Sequence, residues 1–116
     1  MLKKLIALGG AFLMLAPLLT VAPLPASADQ TGFASMHDLR RERGRLCMSN
    51  HFHSGSSNGQ RSRKSAQRAA MRSWASFTAM EYGSDWARVS RARSKSMKCS
   101  KSGGGWGCYF EARPCL

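Results

Sequence analysis

The sequence predicts a small single domain of the α+β class, with one main helix packed on a disulfide-stapled β-hairpin and room for a third strand. Three observations carry that expectation. Ser94 to Cys115 (SKSMKCSKSGGGWGCYFEARPC) alternates around a run of glycines, Lys64 to Tyr82 (KSAQRAAMRSWASFTAMEY) repeats its apolar residues at the helical period, and the four cysteines form an even set in a short chain.

Placing Gly103-Gly104 at the centre of a two-residue loop pairs Ser102 with Gly105, Lys101 with Trp106 and Cys99 with Cys108. Such a turn needs positive φ, which glycine adopts without steric cost. Alternation then sends Met97, Cys99, Trp106, Cys108, Phe110 and Ala112 to one face, and Lys98, Ser100, Tyr109 and Glu111 to the other. This register favours a Cys99–Cys108 bridge and leaves Cys47 with Cys115. A different register would favour Cys99–Cys115 with Cys47–Cys108, and spacing alone does not choose.

The chain opens with Lys3 and Lys4, an apolar run from Leu5 to Val21, and the small-residue site Ala26-Ser27-Ala28. That succession is the pattern of a secretory signal peptide over residues 1–28, and the mature chain is expected to begin at Asp29. A periplasmic or secreted location follows, in which paired cysteines are the expected state. No second apolar run is long enough to span a bilayer. A mature chain this short carries one small core, for which two bridges of ~2–4 kcal/mol each matter.

Residues 29–46 read as a flexible basic arm: a loose start (DQTGFAS), then Met36 to Leu46 as a short basic helix with Asp38–Arg41 and Glu42–Arg45 three apart. Residues 47–116 form the disulfide-stabilised domain. Cys47 to His53 (CMSNHFH) reads as extended, and Ser54 to Gln60 (SGSSNGQ) as a polar loop. The helix that follows takes Ser62 or Ser65 as its cap and Gly83 as its left-handed terminus. Ala66, Ala70, Trp74, Phe77 and Met80 or Glu81 form its inner stripe, with Ala69 and Ser73 beside them, and Arg68, Arg72, Ser76 and Thr78 face water. Ser84 to Ala92 starts with a turn or short helix capped by Ser84 or Asp85, and Trp86 and Val89 close one end of the core.

The formal charge is +12 for the whole chain, and loss of Lys3 and Lys4 with the signal still leaves it strongly basic. The cations fall in three sets: Arg40, Arg41, Arg43 and Arg45; Arg61, Arg63 and Lys64, continued by Arg68 and Arg72; and Arg88, Arg91, Arg93, Lys95, Lys98 and Lys101. Arginine forks match phosphate and carboxylate, so an anionic polymer, a lipid headgroup or an acidic protein is the expected partner. Nucleic acid belongs to the same class, without sequence specificity, because such contacts read charge. The expected function is therefore non-catalytic association with an anionic envelope component. Docking on an acidic protein, as an inhibitor or accessory factor, and action as a membrane-active cationic polypeptide are the competing classes.

His51 and His53, two apart on an extended segment, point to one side and can hold zinc, copper or nickel, with His37 or the Cys47 sulfur joining. The spacing is a weak signature, and packing histidines are commoner, so no metal or cofactor is expected. Two histidines and a lysine also suit ribonuclease-like acid–base chemistry, but nothing brings them together and the six carboxylates are scattered. No catalytic activity is expected. Among the aromatic residues, Tyr109 on the outer hairpin face is the candidate for ligand contact.

The blocks HFHSGSS, AAMRSWASFTAMEYG, DWARVSRARSKSMKC and GGGWGCYFEARPC resemble a group of small exported alphaproteobacterial proteins of uncharacterised function. The resemblance covers Cys47 to Leu116 and implies export and a compact cysteine-stapled domain. It carries no activity, so no functional residue is transferred from it.

Overall fold

A computed structural model describes residues 32–116; the expected signal peptide lies outside the described residues. A 3-10 turn at Gly32–Met36 leads into strands β1 (Leu39–Glu42), β2 (Arg45–Met48) and β3 (His53–Gln60). Helix α1 (Arg63–Tyr82), a second 3-10 turn (Ser84–Trp86), β4 (Arg93–Ser102) and β5 (Gly105–Arg113) complete the chain. β5 is the centre of an antiparallel sheet ordered β3-β5-β4, while β1 and β2 form a separate hairpin.

The β4–β5 register is the expected one, with Ser102 opposite Gly105, Lys101 opposite Trp106 and Cys99 opposite Cys108. Gly103 and Gly104 both take positive φ, 58° and 82°, as the primed two-residue turn requires. The bridges are Cys99–Cys108 and Cys47–Cys115, and no cysteine is free. Cys108, Phe110 and Ala112 are buried against α1, and Met97, Cys99 and Trp106 pack beside them.

α1 begins at Ser62, whose hydroxyl accepts the Ser65 N–H at 3.1 Å. Gly83 ends it with φ 96° and ψ 160°, an extended glycine conformation in place of the expected left-handed turn, and still donates its N–H to the Ala79 carbonyl at 2.9 Å. The buried stripe is Ala66, Ala70, Trp74, Thr78 and Tyr82, one residue in every four. Phe77 (41% exposed), Met80 and Ser73 therefore turn outward, and Thr78 turns inward, opposite to expectation. The close approach of α1 to the sheet accounts for the difference. A row of i±4 residues runs obliquely along the helix, and the two alanines let its first half sit low on the sheet.

The sheet approaches α1 most closely at Gly55. A Cβ there would stand 2.2 Å from the Trp74 nitrogen and 2.3 Å from the Ala70 carbonyl oxygen. Ser54 to Gln60, expected as a loop, is thus most of β3: its small residues admit the helix backbone, and Ser57 donates its hydroxyl to the Ala66 carbonyl at 2.7 Å. A strand without β-branched residues is held here by tertiary contacts that override its own propensity.

The basic segment is also ordered differently from the expected helix. Arg40 faces Cys47 and Glu42 faces Arg45 in the β1–β2 hairpin, which turns on Arg43-Gly44, both at positive φ. Ala34, Met48, Tyr82 and Trp86 are buried together, with Leu39, Leu46 and Leu116 against them. The apolar interior is therefore two clusters, and the second recruits Trp86 and part of the segment before Cys47. The Cys47–Cys115 bridge and the Leu116 N–H to Leu46 carbonyl bond at 2.8 Å tie this hairpin to the chain's last residues.

Candidate functional site

Two of the three cation sets meet through Arg113. This side chain is buried, and its Nη1 donates to the Met48 carbonyl at 2.6 Å and to Glu42 Oε1 at 2.7 Å. Its Nη2 reaches Glu42 Oε2 at 2.9 Å and its Nε the Ser94 hydroxyl at 3.2 Å. Arg45 fastens the same hairpin by donating to the Ser90 and Arg91 carbonyls. The result is a cleft of about 460 Å³ lined by Glu42, Arg43, Arg93, Ser94 and Arg113. Glu42 is the one carboxylate among its lining residues. Hydrogen bonds from Arg113 and then Arg40 hold its carboxyl down at about 2, so it is ionised and already engaged.

The remaining cations are spread out. Arg40 pairs with Glu42, Arg88 with Asp85, and Lys95 donates to the Val89 carbonyl. Arg41 lies exposed on β1, and Arg91 lies half-buried before β4. Arg61, Arg63 and Lys64 stand at the start of α1, beside the Lys101 end of the sheet, because Trp106 pairs with both Gln60 and Lys101. That end is opposite the Arg93–Arg113 pair. Lys98 and Tyr109 face outward from the uncovered side of the sheet and border a groove of about 340 Å³ with Ser56, Asn58 and Gly107.

A second constellation gathers where β3 meets the end of α1. His53 is 3% exposed, with Nδ1 3.0 Å from Thr78 Oγ1 and Nε2 3.0 Å from Glu81 Oε2 and 3.2 Å from the Tyr82 hydroxyl. Tyr82 Oη also lies 2.9 Å from His37 Nε2, and the His37 and His51 rings stack with centroids 4.2 Å apart. Donor atoms of His51, His53 and Glu81 lie within 4.8 Å of one another. Burial pushes the pKa of both His51 and His53 down, more than the Glu81 carboxylate raises it, and burial pushes the Tyr82 phenol well up. Phe33, Met36, His37, His51, Glu81 and Tyr82 line a cavity of about 360 Å³ here.

Of the expected metal-ligating residues, His51, His53 and His37 do converge, whereas Cys47 is consumed by its bridge. Glu42, Ser94 and Arg113 in the arginine cleft, and Thr78, Glu81 and Tyr82 around His53, did not stand out in the sequence. A lone glutamate in LRRERGR is one available signal, since an acid among four arginines implies an internal partner. The four-residue spacing from Trp74 through Thr78 to Tyr82 is another. Comparison with known protein families, with curated proteins and with solved structures finds no match.

Proposed function

We propose that the protein is an exported, non-catalytic binding protein of the periplasm or extracellular space that associates with an anionic polymer of the cell envelope. The observation that supports this reading is the convergence of Arg43 and Arg93 on one cleft whose only lining carboxylate is already bound by Arg113. Two guanidinium groups from separate segments, Arg43 on the β1–β2 turn and Arg93 at the start of β4, can take phosphate or carboxylate oxygens bidentately without first being released from an acidic neighbour. The two disulfides are compatible with an oxidising compartment, and no helix among the described residues is long and apolar enough to cross a membrane.

Binding of a long polyphosphate and of heparin, titrated against salt, tests the reading. Affinity is expected to fall steeply with salt as counterions are released. The Arg43→Gln/Arg93→Gln double variant should bind at least about tenfold more weakly, since charge-assisted pairs contribute ~1.5–3 kcal/mol each. Arg45 is left in place because it fastens the hairpin. Salt-independent binding, or wild-type affinity in the double variant, would remove the cleft from the function. Saturation by one acidic protein in an envelope extract, with no uptake of either polymer, would replace the polymer by a protein partner.

A further inference from the structure

His53 lies inside the protein with its two ring nitrogens in different surroundings. Thr78 Oγ1 spends its proton on the Trp74 carbonyl at 2.8 Å, so toward His53 it can only accept. The proton of a neutral imidazole therefore sits on Nδ1, and Nε2 presents a lone pair. That lone pair meets a carboxylate oxygen, Glu81 Oε2, at 3.0 Å. Tyr82 brings one hydroxyl proton to this place, and that hydroxyl lies within hydrogen-bond distance of both His53 Nε2 and His37 Nε2. His53 Nε2 and Glu81 Oε2 thus face each other as two electron-pair donors, with the Tyr82 hydroxyl beside them.

We propose that His51, His53 and Glu81 form a binding site for a divalent transition-metal ion, with zinc the ion it suits best. Their donor atoms lie within 4.8 Å of one another, a spread that modest side-chain rotation closes around one ion. Two imidazoles and a carboxylate are a donor set zinc accepts, and three protein ligands leave its fourth position open. His51 and Glu81 also line the cavity beside His37 and Tyr82, whose volume of about 360 Å³ is large enough for water or a small ligand to complete the coordination. The Thr78 hydroxyl supplies the outer hydrogen bond that a metal-ligating histidine normally makes through its second nitrogen. Glu81 and His51 are partly exposed and give the ion a path from solvent. The site lies apart from the Arg43–Arg93 cleft and shares no residue with it.

Isothermal titration of tag-free protein with zinc chloride, together with visible spectra of the cobalt(II)-loaded protein, tests the site. One zinc per chain is expected, with cobalt bands of a four- or five-coordinate ion displaced by zinc. His51→Ala and Glu81→Gln should each weaken zinc at least about tenfold, the scale on which even outer-shell partners act, while near-ultraviolet circular dichroism keeps the native signature. Lack of stoichiometric zinc uptake overturns the proposal, as does wild-type affinity in either variant. Featureless cobalt spectra of the unmodified protein overturn it whether or not the variants fold. So does nitrogen-15 NMR showing both nitrogens of His53 protonated with zinc in excess, because the cluster would then be a buried ion pair with Glu81.

Discussion

Arg113 and Glu42, 71 residues apart, meet end to end, each guanidinium nitrogen on its own carboxylate oxygen at 2.7 and 2.9 Å. This contact joins the β1–β2 hairpin to the last strand of the sheet, and the same guanidinium also satisfies the Met48 carbonyl. A fork of this kind sets geometry as well as charge.

Acid should therefore loosen the hairpin over a defined range. Glu42 has its carboxyl lowered from 4.5 to about 2, first by its hydrogen bond with Arg113 and then by that with Arg40. The folded protein binds this proton less readily than the unfolded chain does. The contribution to stability is complete above the unfolded value and is lost as pH falls from about 4.5 toward 2. Urea midpoints should drop across that range in the wild type. In Glu42→Gln they should start lower at neutral pH and change less on acidification.

Gly55 should tolerate no side chain. Its added methyl group would meet backbone atoms of Trp74 and Ala70, which cannot swing aside, so α1 must lift from β3. Gly55→Ala is expected to cost ~1–3 kcal/mol or more by urea denaturation. Ser56→Ala, one residue on and exposed, should stay within ~0.5 kcal/mol.

The two bridges should differ in weight. Cys47–Cys115 closes a loop of 68 residues and Cys99–Cys108 one of 9. Chain-entropy arguments assign ~4 kcal/mol to the first and ~2.5 kcal/mol to the second. Paired alanine substitution at 47 and 115 should lower the urea midpoint more than substitution at 99 and 108. The reverse order would place the stabilisation in the hairpin.

Trp74→Ala is expected to unfold the domain or to cost ~3–5 kcal/mol, because the ring is fully buried and its Nε1 donates to the Ala112 carbonyl at 3.2 Å. Phe77→Ala should cost far less, since that ring is 41% exposed. Thermal denaturation of the two variants separates a stripe of spacing four from one of spacing three and four.

That contrast shows which parts of the fold can be read from sequence. The β4–β5 register follows from the position of Gly103-Gly104 and from alternation, which are local rules, and of the two disulfide pairings left open the one this register favours is formed. The start of α1 follows from Ser62 in the same way. The inward turn of Thr78 does not, because it depends on how deeply Ala66 and Ala70 let the helix settle on Gly55. β1 and β2 were equally hidden, since LRRERGRL shows no alternation and turns on Arg43 at φ 47°. Of the histidine cluster, the pair in β3 and before it was visible as a spacing. Glu81 and the orienting Thr78 join it only through the packing of α1. The arginine cleft behaves alike: its cations were visible, but their meeting rests on Arg113, hidden near the chain's end.

β4 is an edge strand, paired with β5 on one side only. An open edge of backbone donors and acceptors invites another chain to add itself as a further strand. Along β4 that invitation is contradicted by Lys95, Lys98 and Lys101, spaced through a strand otherwise rich in serine. Two copies docking edge to edge through β4 would bring ammonium groups toward one another, and like charges directly opposite across a ladder are destabilising. The lysines of β4 thus weigh against templating between neighbouring molecules, and that effect does not depend on a ligand occupying any part of the surface.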